Sequence, residues 1–385
     1  MSNSAVLKYS LTNEHILLRD SINRFVKNDY IISGKDSDAD GIGYSIQAWE
    51  TLSDMGVLGA LFPENQGGFG GTGMDIALVF ESLGFGLVVG PYIDSAILSG
   101  TILGFSKRDI EKNLISELID GKSLTVLAHD EDDGQNPLAE LKTTAKQLER
   151  GFQLNGLKST IKFPENADNF LITARFLSAQ ENKDDIGIFL VPSCKKGIEL
   201  TSCKTIDGGQ AANIRLRQVN VDQHNLLPLS RKAIDVLTIA KNRALLAICA
   251  EALGIMEKIK QLTIEYLKTR KQFGMVIGKF QALQHRIAEM LIQIEQSRSA
   301  VTSASIALDY KHSDVNKKIA AAKYTISRIG TLIAEESIQM HGGIGVTWEY
   351  ELSHFARRLI MIDQELGDED FHLGQFMASD PLVAP

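Results

Sequence analysis

Arg270-Lys271-Gln272-Phe273-Gly274, then Gln281, and later Gln339-Met340-His341-Gly342-Gly343-Ile344-Gly345 combine a fixed cation, amide side chains and glycines on two helical segments of one region. An arginine offers a planar donor fork that matches a pyrophosphate. A glutamine can hydrogen-bond a base edge or a backbone carbonyl. Paired glycines let a ligand come close to the backbone. The combination suits a large phosphorylated cofactor. A second glycine cluster, Gly68-Phe69-Gly70-Gly71-Thr72-Gly73, satisfies G-x-G-x-x-G. A dinucleotide fold needs a strand before such a loop and a βαβ unit around it. Phe62-Pro63-Glu64 precedes it in a helical region, so the expectation is a tight turn between helices. His129, His224, His312, His354 and His372 show no metal-ligand spacing, and no G-x-S-x-G elbow presents a nucleophile. His341 reads as a packing residue at a helix end, and His285 as core or interface.

The bulk properties narrow the classes. The chain has 385 residues, 44% hydrophobic and 23% charged, enough for two or three domains with substantial cores. A net charge of −8 and no basic stripe argue against nucleic-acid binding. Three cysteines, Cys194, Cys203 and Cys249, are too few for a disulfide framework, and the absence of C-x-x-C argues against zinc. The opening MSNSAVLKYSLTNEH has neither the charged nor the apolar region of a signal peptide. The longest apolar stretch, Ala244 to Met256, is interrupted by Glu251 and is too short to span a bilayer. A soluble, cytoplasmic protein is expected.

The pattern changes twice along the chain. Residues 1–121 read as helical, with Thr12 or Asn13 capping a first helix and later helices near Tyr44–Met55, Met74–Leu83 and Ile110–Leu118. Residues 122–228 switch to short β-branched runs separated by turn dipeptides such as Asn155-Gly156 and Asp207-Gly208, which predicts a β-barrel or sandwich. Residues 229–385 carry long uninterrupted helical patterns, Ala233–Thr269, Phe280–Leu308, Asn316–Met340 and a helix from about Trp348, which predict a four-helix bundle. Gly254 is the one obvious break in the first of them. The fold class is α+β.

The wider strings Glu265 to Gly274, Ile277 to Met290 and Gln339 to Gly345, with Leu11-Thr12-Asn13-Glu14 and Asn155-Gly156-Leu157-Lys158, resemble the acyl-CoA dehydrogenase family over nearly the whole chain. Within it the chain is similar to the small subunit of pimeloyl-CoA dehydrogenase and to the paired dehydrogenases that shorten steroid side chains. The resemblance implies helices, a β domain and a four-helix bundle. It also implies FAD as cofactor, an acyl-CoA substrate desaturated to the trans-2-enoyl-CoA, and an electron-transferring flavoprotein as acceptor. Carried over position by position, Arg270 would bind the FAD pyrophosphate, Gln272 and Phe273 would line it, and Gln281 would lie close by. Gln339, Gly342 and Gly343 would form the opposite wall. In this family that edge reaches into a neighbouring subunit's flavin site.

The departures from the family pattern fall elsewhere. The usual Tyr-Glu-Gly-Thr segment that carries the base is Asp363-Gln364-Glu365-Leu366-Gly367-Asp368. Register from Gly342 puts Leu366 at the base position, with Glu365 one residue, or about 100° of helix, away. The alternative family position falls on Ala244, and Glu251, seven residues on, lies on the same helix face roughly 10 Å further along. Glu251 and Glu365 are therefore the candidate bases, and a structural role for Glu251 is the competing expectation. In the β domain, Ala128 to Asn136 and Ser159 to Phe163 replace the segments that grip the chain's own flavin, with Thr160 and Lys162 in place of its usual contacts. The groups that serve a neighbour are kept and those of the chain's own site are altered. This predicts one half of a heteromeric α2β2 complex with a homologous dehydrogenase subunit. Three alternatives stand beside it: a self-sufficient homotetramer using Glu251 or Glu365, a non-catalytic scaffold or acyl-CoA-binding homologue that only completes a partner's flavin site, and a flavin-dependent hydroxylase of the same fold, for which the sequence offers no specific signal.

Overall fold

The computed structural model describes residues 11–30, 44–131, 141–177, 186–310 and 312–379. Three layers of chain follow one another. Helix α1 (Asn13–Asn28) starts at Thr12, whose hydroxyl accepts the His15 N–H while the His15 ring accepts the Thr12 N–H. Helix α2 (Ile46–Asp54) turns Trp49 and Leu52 into the core. Helix α3 (Gly73–Phe85) begins at a second capping box, Thr72 with Asp75. An eight-residue π-helical turn, Tyr92–Ser99, runs into the short α4 (Gly100–Leu103), and α5 (Asp109–Ile119) closes the helical part.

The glycine-rich run before α3 is a structural turn. A Cβ on Gly68 would lie 2.2 Å from the Phe62 carbonyl oxygen, and one on Gly70 2.3 Å from that of Ala60. Arg243 from the bundle donates to the carbonyls of Gly71 (2.8 Å) and Leu61 (3.0 Å), fixing the turn from outside. No strand leads into it, so the dinucleotide reading has no support.

The central strands are β1 (Thr125–Ala128), β2 (Thr144–Gln147), β3 (Phe152–Lys162), β4 (Asn169–Phe176), β5 (Ile186–Pro192), β6 (Ile198–Lys204) and β7 (Gln210–Val221). They form one curled seven-stranded sheet in the order β1-β4-β2-β3-β7-β6, with β5 also paired to β4. Strand β4 runs parallel to β1 and β2, and the remaining pairs are antiparallel. Asn155-Gly156, expected as a turn, instead sits inside β3. The register against β7 slips between Leu154 and Gly156, and a Cβ on Gly156 would lie 2.4 Å from the Thr143 hydroxyl. The glycine makes a bulge possible where a turn was expected.

The bundle consists of α6 (Ala233–Thr269), α7 (Gln281–Asp309), α8 (Val315–His341), α9 (Leu352–Gln364) and the shorter α10 (Glu369–Ala378). A two-residue-per-strand hairpin, β8 (Lys271–Gln272) and β9 (Met275–Val276), joins α6 to α7. Among the described residues no helix is long and apolar enough to cross a membrane, and no group of three or more His, Cys, Asp and Glu is placed to hold a metal.

Gly254 is the reason α3 can lie directly on α6. A Cβ there would fall 1.9 Å from the Glu81 carbonyl oxygen of α3, and reciprocally a Cβ on Gly84 would fall 2.0 Å from that of Glu251. Backbone meets backbone at both points and neither can retreat. Gly254→Ala is therefore expected to cost about 1–3 kcal/mol or more through overpacking, even though alanine favours a helix. Urea unfolding of the variant checks it, and unchanged or higher stability would contradict the close crossing. The same crossing fixes Glu251, one turn before Gly254, against the interior cavity.

Candidate functional site

Two separate places collect the chemistry. The first is an outer edge of the bundle. Helix α6 ends at Arg270, whose N–H closes on the Tyr266 carbonyl (2.8 Å) while its carbonyl accepts from Ile277 N–H (2.9 Å). The hairpin then turns through Phe273 (φ 53°) and Gly274 (φ 76°). At the other side, α8 ends at Gly342 with φ 68° and ψ −149°, a conformation that only glycine adopts readily. The His341 ring stacks on Tyr266 at 4.5 Å between centroids. That stack joins the two clusters, because Tyr266 lies one turn before Arg270 and His341 adjoins Gly342. His341 is buried and its ring Nδ1–H donates to the Ser337 carbonyl (2.8 Å), in line with its packing role. His285, in contrast, is exposed.

Arg270, Gln272, Phe273, Gln281, Gln339, Gly342 and Gly343 are all exposed, Phe273 to 87%. Among the described residues the Arg270 guanidinium pairs with no carboxylate. No atom lies within 4 Å of a Cβ built on Gly342 or Gly343. Apolar side chains rim the edge, with Phe273, Met275, Ile344, Val346 and Trp348 exposed. A free guanidinium, free amides and an open glycine backbone fit the phosphate and extended portion of a dinucleotide cofactor. The uncovered apolar rim fits a neighbouring chain.

The second place is an interior cavity of about 430 Å³ between α3, the π turn, β3, α6 and α9. Its apolar wall includes Phe80, Leu83, Leu87, Val88, Leu98 and Ile248. Both candidate bases line it, and both are held by Arg358 of α9. The Arg358 fork donates to Glu251 through Nε (2.6 Å) and Nη2 (2.9 Å), to Asp207 through Nη1 (3.0 Å), and also to Glu365. Lys162 of β3 makes a further ion pair with Glu365. Burial opposes ionisation of Glu365, but the Arg358 and Lys162 charges hold its carboxyl below the usual range. The network ties the sheet (Lys162, Asp207) to the bundle (Glu251, Arg358, Glu365). Glu251 is thus an ion-paired carboxylate of this network.

The sheet side of the cavity is organised by Lys158. Fully buried, its Nζ donates to Glu131 Oε1 (2.8 Å), the His129 carbonyl (2.9 Å) and the Thr173 hydroxyl (3.1 Å). Burial lowers its pKa to about 8 against the pull of Glu131. Burial likewise takes His129 down to about 4, so that ring is neutral at physiological pH. Glu131 in turn accepts the Thr143 N–H (3.1 Å). Of the acidic run, Glu131 is held in this way, Asp130 beside it is exposed, and residues 132–136 lie outside the described residues. Thr160 and Lys162 line the cavity as their register implies. Leu87, Thr160, Phe163 and Leu366, four cavity residues without glycine's freedom, have φ between 50° and 60°. Backbone strain of this kind concentrates where a site is held in shape by its surroundings. Motifs alone do not point to Arg358 or Asp207. The signal available for Arg358 is its place directly before the apolar run Leu359–Ile362 of a helix, on the face of Phe355 and Leu359 rather than that of Arg357.

Two models of the acyl-CoA dehydrogenase family match the chain, the N-terminal domain over residues 12–122 and the C-terminal domain over residues 236–378, together well over half of its length. The chain belongs to the acyl-CoA dehydrogenase family, flavoprotein oxidoreductases acting on CH–CH bonds. It is 27% identical to a probable acyl-CoA dehydrogenase, YngJ, of Bacillus subtilis over 91% of this chain and 93% of that protein. It is 26% identical to the mouse mitochondrial long-chain specific acyl-CoA dehydrogenase over 89% and 80%. Among solved structures, a chain of the ChsE4-ChsE5 complex from Mycobacterium tuberculosis superposes with a TM-score of 0.85 at 24% identity, covering 97% of this chain and 99% of that one. Butyryl-CoA dehydrogenase from Megasphaera elsdenii does so with 0.86 at 22% identity, over 96% and 98%.

Proposed function

We propose that the chain takes part in FAD-dependent α,β-dehydrogenation of an acyl-CoA thioester to the trans-2-enoyl-CoA, as one subunit of an α2β2 complex with a homologous dehydrogenase chain. The observation that carries this reading is the exposure of the whole Arg270 to Gly343 edge, away from the chain's own cavity. Arg270 would meet the pyrophosphate of FAD in the partner's site, with Gln272, Phe273 and Gln281 beside it and Gln339, Gly342 and Gly343 opposite. FAD supplies the two-electron oxidation when bound. In this reading Glu251 and Glu365 serve as ligands of Arg358 and do not act as bases. An electron-transferring flavoprotein would reoxidise the flavin, and the complex would work in the cytoplasm. Two structural neighbours support the partner reading by kind: the ChsE4-ChsE5 complex, and the electron-transferring flavoprotein of Acidaminococcus fermentans.

The closed Arg358 network favours a second reading, in which the chain is a scaffold that only completes the partner's site. Flavin stoichiometry separates the possibilities. The chain purified alone is expected to be colourless, and to become yellow with one FAD per pair when mixed with its partner. One FAD per chain in the isolated protein would mean a self-sufficient homotetramer. No flavin in either preparation would sink the flavin-site reading altogether, the completing scaffold included, and leave a chain that has kept only the fold.

A further inference from the structure

Three aromatic rings meet beside the outer edge. The His341 ring lies 4.5 Å from that of Tyr266, with 27° between their planes, and 5.4 Å from that of Tyr350. Each ring comes from a different element. Tyr266 belongs to the last turn of α6, and its carbonyl receives the Arg270 N–H (2.8 Å). His341 is the last residue of α8, directly before Gly342. Tyr350 stands two residues before α9. The two tyrosines are half-buried and His341 is only 4% exposed. Burial lowers the pKa of the imidazole against the pull of the Ser337 carbonyl, so the ring is neutral at physiological pH and packs as a flat plate. The turn beyond it is close-packed too. A Cβ on Gly345 would lie 3.1 Å from the His341 Cβ and 3.2 Å from the Ile338 Cα. The ligand-facing side is the opposite, with nothing within 4 Å of a Cβ built on Gly274, Gly342 or Gly343.

We propose that His341 is a positioning residue for the flavin edge: its ring, packed against Tyr266 and Tyr350, sets the spacing between the Arg270 guanidinium and the Gly342–Gly343 backbone. The inference rests on the reading of that edge as a flavin site. Arg270 and the glycine turn belong to different helices, and an extended cofactor must meet both at once. Two anchors reinforce each other only when they are already held at the spacing of the ligand. An anchor that must be ordered on binding returns part of the gain as lost entropy. His341 is buried, so it acts through these anchors. Removing its ring leaves every exposed residue of the edge in place. It frees the end of α6, with the hairpin that follows, to move against the end of α8. The aromatic plate is the part that matters. The Nδ1–H bond to Ser337 stays within α8 and ties nothing to α6.

The test measures FAD retention by the complex with the partner subunit, by dialysis against flavin-free buffer. It compares His341→Phe, His341→Asn and Tyr266→Leu, each with Arg270 intact and with Arg270→Ala. Phenylalanine keeps the ring and loses the Nδ1–H donor; asparagine keeps a donor and loses the ring. His341→Asn and Tyr266→Leu are each expected to weaken FAD retention about 10-fold, and His341→Phe by less than about 3-fold. In the Arg270→Ala background the His341→Asn and Tyr266→Leu factors are expected to shrink below about 3-fold, because no guanidinium remains to be placed. A ring that served only the stability of the bundle would give the same factor in both backgrounds. Tyr266 is half-buried, so Tyr266→Leu carries the same comparison if His341→Asn does not assemble. Equal factors in the two backgrounds, no loss in His341→Asn, or a phenylalanine variant as weak as the asparagine one would overturn the positioning role alone. Arg270→Ala holding FAD as tightly as wild type would instead overturn the flavin-site reading beneath it.

Discussion

Replacing Arg358 by methionine is expected to destabilise the protein by about 3–5 kcal/mol or more, the cost of leaving a buried charge unpaired. Methionine fills much of the volume, so the loss is electrostatic. Glu251, Asp207 and Glu365 all receive the same guanidinium, and removing it strands three carboxylates, of which, among the described residues, only Glu365 keeps an ion pair, with Lys162. Arg358→Lys is expected to recover little, because a point charge cannot serve three acceptors held around a planar fork. The effect has a pH signature. The folded pKa of Glu365 is depressed, so its contribution is present above the ordinary carboxylate value and is lost as pH falls through the lower folded value. In the variant the stranded acids can relieve themselves by taking up protons. The stability gap between wild type and Arg358→Met is therefore widest at neutral pH and closes toward about pH 4, near the unperturbed carboxylate range. Urea unfolding across that range measures it. A gap below about 1 kcal/mol, the size of an exposed surface pair, would show that the network does not bind sheet to bundle.

How much of this was readable in advance follows from the range of the forces involved. Helix α6 runs Ala233–Thr269 as its long proline-free pattern predicts, because nothing in that stretch breaks a helix except Gly254, which the crossing with α3 explains. The outer edge is equally local, since Arg270 and its neighbours act from one hairpin and one helix end. Strand β6 is hard to read from sequence because it is exposed along nearly its whole length and buries no face. The π turn at Tyr92–Ser99 was missed because its spacing fits neither the helix nor the strand template. The interior site was the least legible. Arg358 meets partners 107 and 151 residues away, and nothing near Glu251 or Asp207 in sequence announces their common partner.

The outer edge makes the sharpest functional prediction. Arg270→Ala is expected to leave folding within about 0.5 kcal/mol of wild type, because the side chain is exposed and makes no ion pair among the described residues. In the complex with the partner subunit, the same change is expected to weaken FAD retention about 10- to 100-fold. A hydrogen bond to a charged group contributes about 1.5–3 kcal/mol, and each 1.4 kcal/mol is a factor of ten. Arg270→Lys keeps the charge and loses the fork, so it is expected to fall between the two. Dialysis of the complex against flavin-free buffer, followed by its visible spectrum, gives the affinities. The position of the loss is as informative as its size. A change made in this chain that empties a site whose remaining walls belong to the partner is explicable only if the Arg270 edge crosses the subunit boundary. If the complex holds FAD as tightly with alanine as with arginine, the edge is not a flavin site. The free guanidinium and open glycine backbone at Gly342 and Gly343 would then need another phosphorylated ligand.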